Sequence, residues 1–205
     1  RFRGLPPAES GAASPGAEMA LGVLRLHLID RAGVSPERQH AWLWVTEFPL
    51  FEWDEDAGRL LAAHHPFTAP HPEDVPVLLA ATASGPLERE GAKSLFGKHL
   101  RSRAYDAVYN GNELASGSIR IHDAQVQRHL FRALGMDEAA AEEKFGFLLE
   151  AFRHGVPPHG GFAFGFDRLV MLLVGAASLR DVIAFPKTTA ARALFEGAPA
   201  SVAED

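Results

Sequence analysis

Apolar and polar positions alternate with period two from Leu21 to Leu28 (LGVLRLHL), the pattern of a half-buried strand. Trp42 to Phe48 (WLWVTEF) is aromatic and β-branched and predicts a second strand. Asp54 to Gly58 supplies turn chemistry, so Arg59 to His65 is expected to return as the other arm of a hairpin. Residues 1–20 are rich in Pro, Gly, Ala and Ser and read as a loop or linker, while the four prolines of Pro66 to Pro76 exclude regular structure there. Residues 77–103 have no clear period. Tyr105 to Tyr109 and Ile119 to His122 read as strands separated by Ala115-Ser116-Gly117.

Phe145, Leu148, Leu149 and Phe152 then recur at helical spacing. Asp137 is placed to cap that helix at its start, and Gly155 with Pro157-Pro158 to end it. Phe162 to Phe166 is extended, and Asp167 to Val174 has helical composition up to Gly175. Strands followed by a strand-to-helix finish, without regular βαβ repeats, predict an α+β fold with a largely antiparallel sheet.

Composition narrows the chemistry. The 205 residues are 47% hydrophobic and 22% charged, values of a folded globular chain. With no cysteine, a disulfide scaffold, a thiolate metal site and a cysteine nucleophile are excluded, and a reducing, cytoplasmic compartment is the simplest expectation. A net charge of −6 gives no overall field drawing the chain onto nucleic acid. The longest apolar run, Leu169 to Ala177, is nine residues, against about 20 for a membrane helix, so no membrane partner is expected. Arg89, Lys93, Lys98, Arg101 and Arg103 outnumber Glu88 and Glu90, which suits either a solvated face or a phosphate-contacting patch.

Three stretches could carry a reaction. In GGFAFGFDRLVMLL (160–173), Phe162, Phe164 and Phe166 share one strand face, and Ala163 and Gly165 leave the other bare enough for a flat ligand. Arg168 follows in the first turn of a helix, where amides and dipole favour an anion. A bulge with Arg168 pairing a surface carboxylate would give the same residues. In YDAVYNGNELASGSIRIHD (105–123), Asp106, Glu113 and Asp123 accompany Arg120 and His122, and paired carboxylates on neighbouring strands suit Mg²⁺ beside a nucleotide phosphate. Glu113 and Arg120 are an odd number of residues apart and share a face only if a bulge intervenes. A solvated face with ordinary ion pairs is the alternative. In HHPFTAP (64–70), adjacent histidines point opposite ways in an extended chain, so at most one is expected to serve a ligand, and a metal site on His64 and His65 lacks its further ligands. Serine-hydrolase, P-loop and zincin signatures are absent.

Together with KFGFLLEAFRHGVPPHGGFAFGFDRLVMLL and LRDVIAFPKTTAA, these stretches resemble the C-terminal half of the bacterial-type aspartyl-tRNA synthetases, class II ligases, in order from Leu21 to Pro199. GFAFGFDR resembles class II motif 3, and HHPFT with SGSIRIH points to the aspartate enzymes over their lysine and asparagine relatives. The resemblance implies an antiparallel sheet flanked by helices. It also implies aspartyl-adenylate formation from L-aspartate and ATP, followed by transfer to the tRNA 3′ end, in a homodimeric enzyme. Matched by position, Arg168 would hold the ATP γ-phosphate, with Gly165, Phe166 and Asp167 on the adenosine side. Glu113 would bind ATP through Mg²⁺, with Asp106 as a second metal-side carboxylate. Arg120 would clamp the substrate's side-chain carboxylate, and His64 would also contact aspartate. Residues 1–35 resemble the tail of the bacterial insertion domain and 36–205 the C-terminal part of the catalytic domain, a piece expected to be inactive alone. Where the family has a glycine triplet before SIRIH, this chain has Ala115-Ser116-Gly117, which would narrow the pocket. An asparaginyl- or lysyl-tRNA synthetase, or a non-catalytic relative of the fold, are the competing readings.

Overall fold

A computed structural model describes residues 15–35 and 40–188. The chain divides into two units, Arg1–Ala41 and Trp42–Asp205. In the first unit, helix α1 spans Pro15–Arg31, where the alternating pattern predicted a strand over Leu21–Leu28 and a linker up to residue 20. Leucine, alanine and methionine are strong helix formers and the segment has few β-branched residues, so the helix wins over an alternation that only three leucines carry. The expected linker over residues 1–14 lies outside the described residues.

The second unit is built on a four-stranded antiparallel sheet of order β1-β4-β5-β6, from β1 (Trp42–Thr46), β4 (Ala104–Tyr109), β5 (Asn112–Ile119) and β6 (Gly160–Phe164). A hairpin of β2 (Phe51–Asp54) and β3 (Arg59–Ala62) lies outside that sheet, its turn closed by Asp54, whose carboxylate accepts from the backbone N–H of Asp56 and Ala57. Helices α2 (Val75–Ala81), α3 (Arg89–Phe96), α4 (Ala124–Ala133), α5 (Glu138–Arg153) and α6 (Phe166–Val174) complete it. The expected α+β class with an antiparallel sheet flanked by helices is the observed one.

Two corrections concern the sheet. Ala115-Ser116-Gly117 does not separate strands but lies inside β5, which ends at Ile119, so Ile119–His122 is not a strand. Small residues read as a break, yet here they are demanded by pairing. A Cβ on Gly117 would sit 2.1 Å from the Gly161 carbonyl oxygen of β6. Phe166 also leaves the strand face it was expected to share with Phe162 and Phe164, because it is the first residue of α6.

The helix ends follow local chemistry. Asp137 caps α5, its carboxylate accepting from the Ala140 N–H, and Gly155 (φ +89°) follows the helix in the left-handed conformation. Asp123, one of the candidate acids, is likewise a cap. It accepts from the N–H groups of Gln125 and Val126 at the start of α4, so it is occupied structurally. The main core gathers Leu50, Phe51, Leu60, Leu78, Leu95, Leu100, Ile121 and Leu130 between the hairpin and the helices. A smaller one joins Phe131 of α4 with Phe145 and Leu149 of α5. Phe145 stacks on Phe131 at 5.1 Å and has a non-helical φ of −133°, a kink within α5.

Of the basic residues in 86–103, Arg101 is committed to structure. Its Nε and Nη2 donate to both Asp74 carboxylate oxygens at 3.0 Å and Nη2 to Glu73 at 2.8 Å, tying the turn before α2 to the approach to β4. These bonds hold the Asp74 carboxyl below its ordinary value. Stabilisation from a depressed carboxyl is present above its unfolded pKa, about 4, and is lost as pH falls through the lower folded value. Arg101→Met should therefore lower the midpoint of urea unfolding near neutral pH, with the difference from wild type shrinking below about pH 4. Gly117→Ala should cost about 1–3 kcal/mol, because its methyl meets backbone that cannot move aside; hydrogen exchange of the β5–β6 amides would show the opening.

Candidate active site

One face of the sheet carries the candidate chemistry because of an irregularity in β5. The register with β4 shifts so that Ala107 faces Ala115 while Val108 faces Glu113, leaving Leu114 as a bulge. Glu113 therefore lies on the same face as Ser116, which is paired with Asp106. From Ser116 the alternation continues through Ser118 towards Arg120. The bulge is the one the odd spacing required, and it precedes Ala115 rather than falling within the Ala-Ser-Gly stretch. The opposite face holds Trp42, Trp44, Tyr105, Tyr109, Phe162 and Phe164, with Trp42 on Tyr109 at 4.6 Å and Trp44 beside Phe162 at 6.5 Å.

The bulge also anchors the following turn. The Leu114 carbonyl accepts from the Gly165 N–H at 2.9 Å, and the Glu113 carbonyl accepts from Arg168 Nη1. Arg168 is thus brought to the Glu113 end of the sheet by the strand-to-helix turn Gly165-Phe166-Asp167. Gly165 stands at the helix N-cap, with Phe166 and Asp167 in the first turn.

At the other end, a cleft of about 470 Å³ is lined by His64, His65, Thr68, Ser116–Ser118, Arg120 and Gly161–Ala163. No atom lies within 4 Å of the place a Gly161 Cβ would take, whereas Gly165, expected on the same bare face, is the N-cap of α6, where a Cβ would meet Arg168 Cβ and the Leu114 carbonyl at 3.5 Å. Among the described residues, half-buried Arg120 makes one side-chain hydrogen bond, its Nη1 donating to His65 Nδ1 at 3.1 Å. Among the described residues no carboxylate forms an ion pair with its guanidinium. A cation held in a cleft beside an imidazole and without a protein carboxylate is suited to receive an anionic ligand.

His65 is the residue that sequence reasoning missed. Both histidines line the cleft, whereas adjacent side chains of an extended chain would point opposite ways. The chain turns immediately after them, with Thr68 N–H donating to the His65 carbonyl, so the alternation of an extended strand does not apply. The turn is fixed from below. Phe67 packs edge-on against the stacked Phe131–Phe145 pair, with ring centroids at 6.4 Å and 5.3 Å, and the fully buried Gln127 of α4 donates from Nε2 to the Pro66 carbonyl at 2.7 Å. The proline and phenylalanine of HHPFT hold the loop and leave its histidines to face the cleft.

The electrostatics separate the two ends. Burial and the nearby Glu113 charge push the Asp106 carboxyl above its ordinary value, and His64 pulls the other way. Burial, then the Arg120 charge, then His64 push the His65 imidazole below its ordinary value, which keeps it neutral beside the guanidinium. Asp106 and Glu113 share a face and the Glu113 charge disfavours ionisation of Asp106, so their donor set fits a hard divalent cation such as Mg²⁺. It is a pair and no more, since no cluster of three or more His, Asp or Glu suited to a metal occurs among the described residues. No described helix is long and apolar enough to cross a membrane.

The chain is similar to several known proteins. The aspartate–tRNA(Asp/Asn) ligase of Oleidesulfovibrio alaskensis is 51% identical over 193 residues, which cover 94% of this chain and 29% of that protein. The protein of the same name from Nitratidesulfovibrio vulgaris is 52% identical over 192 residues, covering 93% of this chain and 29% of its own length. Among solved structures, an aspartyl-tRNA synthetase from Entamoeba histolytica aligns with a TM-score of 0.49 at 20% identity, over 84% of this chain and 31% of that one. The chain thus spans less than a third of the length of these relatives. The family of class II tRNA synthetases (D, K and N) matches residues 25–189, most of the chain, and the chain belongs to that family.

Proposed function

We propose that residues 36–205 form the C-terminal part of the catalytic domain of an aspartate–tRNA ligase, and that residues 1–35 are the tail of an inserted domain. The full-length enzyme, a cytoplasmic homodimer in this reading, would join L-aspartate to ATP as aspartyl-adenylate, releasing pyrophosphate, and then pass the aspartyl group to the tRNA 3′ end. One observation carries the choice of amino acid. Arg120 stands in the cleft with a neutral imidazole as its side-chain partner and no carboxylate paired to it. A side-chain carboxylate completes that guanidinium by two parallel bonds, and the amide of asparagine or the ammonium of lysine does not. The relatives at about 50% identity, named for aspartate, support the same assignment.

Arg120 and His64 would hold aspartate by its side chain, so that its α-carboxylate is presented along the bare Gly161–Ala163 strand. ATP would lie at the other end of this face, with Arg168 on its γ-phosphate and Gly165, Phe166 and Asp167 beside the adenosine. The attack of a carboxylate on a polyphosphate brings like charges together, so the chain's contribution is to position both substrates and neutralise charge. Asp106 and Glu113 would hold Mg²⁺, which supplies neutralisation of the phosphate oxygens when bound. In this reading Arg168 and Glu113 serve one substrate and Arg120 the other, which separates their kinetic signatures. The printed names of the relatives include tRNA(Asn), and the same breadth of tRNA is proposed here.

In the full-length enzyme, Arg120→Ala should raise the KM for aspartate by roughly 10²–10⁴-fold with little change in the KM for ATP, measured by ATP–pyrophosphate exchange. An unchanged KM for aspartate would refute the Arg120 assignment. Arg168→Ala should show the reverse pattern, and Glu113→Gln should raise the Mg²⁺ concentration needed for half-maximal exchange. Charging assays with purified tRNA(Asp) and tRNA(Asn) test the tRNA range directly.

A further inference from the structure

The proposed function assigns Arg120 to the substrate but leaves His65 without a role, although it is the side chain the guanidinium touches. Two donors converge on one nitrogen of this imidazole. Arg120 Nη1 lies 3.1 Å from Nδ1, and the Phe67 backbone N–H donates to the same Nδ1 at 3.2 Å. Neither donor can accept, so Nδ1 carries the lone pair and the proton of the neutral ring sits on Nε2. Thr68 Oγ1 sits against the same ring, 3.4 Å from Nδ1 and 3.3 Å from Nε2, and donates to Ser118 Oγ at 3.4 Å. Thr68 and Ser118 are each only 2% exposed, so the imidazole rests on buried structure at β5. The loop beneath is pinned by Gln127 and Phe67, as described above.

We propose that His65 is the positioning residue for Arg120, setting through Nδ1 the plane in which the guanidinium meets the aspartate side-chain carboxylate. This rests on the aspartate reading of the cleft. An arginine side chain has several soft torsions, and a two-bond carboxylate contact requires its plane to be fixed. Arg120 has a backbone anchor, its N–H donating to the His159 carbonyl at 3.0 Å, but among the described residues only His65 makes a hydrogen bond to its far end. The neutral imidazole suits that task because it accepts one hydrogen bond without neutralising the charge. A carboxylate at the same place would compete with the substrate. The histidine thereby keeps the arginine oriented and still attractive to an anion.

The test is aspartate-dependent ATP–pyrophosphate exchange by the full-length enzyme carrying His65→Ala, His65→Asn, Arg120→Ala, and the double change His65→Ala with Arg120→Ala. His65→Ala should raise the KM for aspartate roughly 10–100-fold with the KM for ATP unchanged. His65→Asn, whose amide oxygen can accept from the guanidinium, should recover most of that loss. The double variant should be no worse than Arg120→Ala alone, because His65 acts through the arginine. An unchanged KM for aspartate in His65→Ala, equal rises in both KM values, or full additivity in the double variant would each overturn the positioning role while leaving the Arg120 assignment standing. If the wild-type enzyme shows no aspartate-dependent exchange, the aspartate reading itself falls and the role of His65 falls with it.

Discussion

A single unpaired residue, Leu114, arranges the candidate site. Without its bulge the period-two alternation of β5 would place Glu113 and Arg120 on opposite faces of the sheet. With it, the acidic pair, the two serines and the arginine follow one another along one face. The same irregularity frees two successive carbonyls, of Glu113 and Leu114, to receive Arg168 and the Gly165 N–H. The strand-to-helix turn is therefore fastened to the bulge itself. Distance between the two arginines is set by the sheet rather than by flexible side chains, a rigidity that positioning catalysis needs.

Around that strand the packing is divided by face. Gly117 lies between Tyr105 and Phe162 on the aromatic side, too close to β6 for any side chain, and its backbone forms part of the cleft on the other. The histidine loop reaches the cleft from outside the sheet and is held by groups that do not line the cleft: a phenylalanine set edge-on against a stacked pair of rings and a buried amide on a carbonyl. The residues lining the cleft thus come from a loop and a strand, and the loop is placed by the small aromatic core and α4.

Much of this was legible in the sequence, and the failures have physical causes. The hairpin about Asp54–Gly58, the Asp137 cap, the Gly155 and Gly175 helix ends, and the strand-to-helix turn before Arg168 rest on local chemistry that acts within a few residues. The motifs that carry the family resemblance were equally visible. Over Leu21–Leu28 the alternation of three leucines pointed to a strand, and the helix formers beginning at Ala17 overrode it. The short helices α2 and α3 were not apparent because seven or eight residues give too few turns for a period to emerge. The bulge could be stated only as a condition, since Leu114 looks like any other strand residue and its displacement is decided by pairing with β4. His65 was passed over because its orientation depends on the turn at Thr68, which an extended-chain argument does not contain.

Arg101 shows the converse. It counted among the cations of a possible phosphate patch, and the fold places it instead against Asp74 and Glu73, far along the sequence and invisible to any local rule. Arg120 ends with the opposite environment, a cation whose hydrogen-bonding partner carries no charge. The difference between those two arginines, one satisfied by the protein and one left for an anion, is the basis of the functional assignment.

The most direct test of that assignment is amino-acid-dependent ATP–pyrophosphate exchange by the full-length protein, with aspartate, asparagine and lysine compared side by side. The account predicts exchange with aspartate and none above background with the other two. Exchange driven by asparagine or lysine, or none with any amino acid in a folded protein that binds ATP, would contradict it.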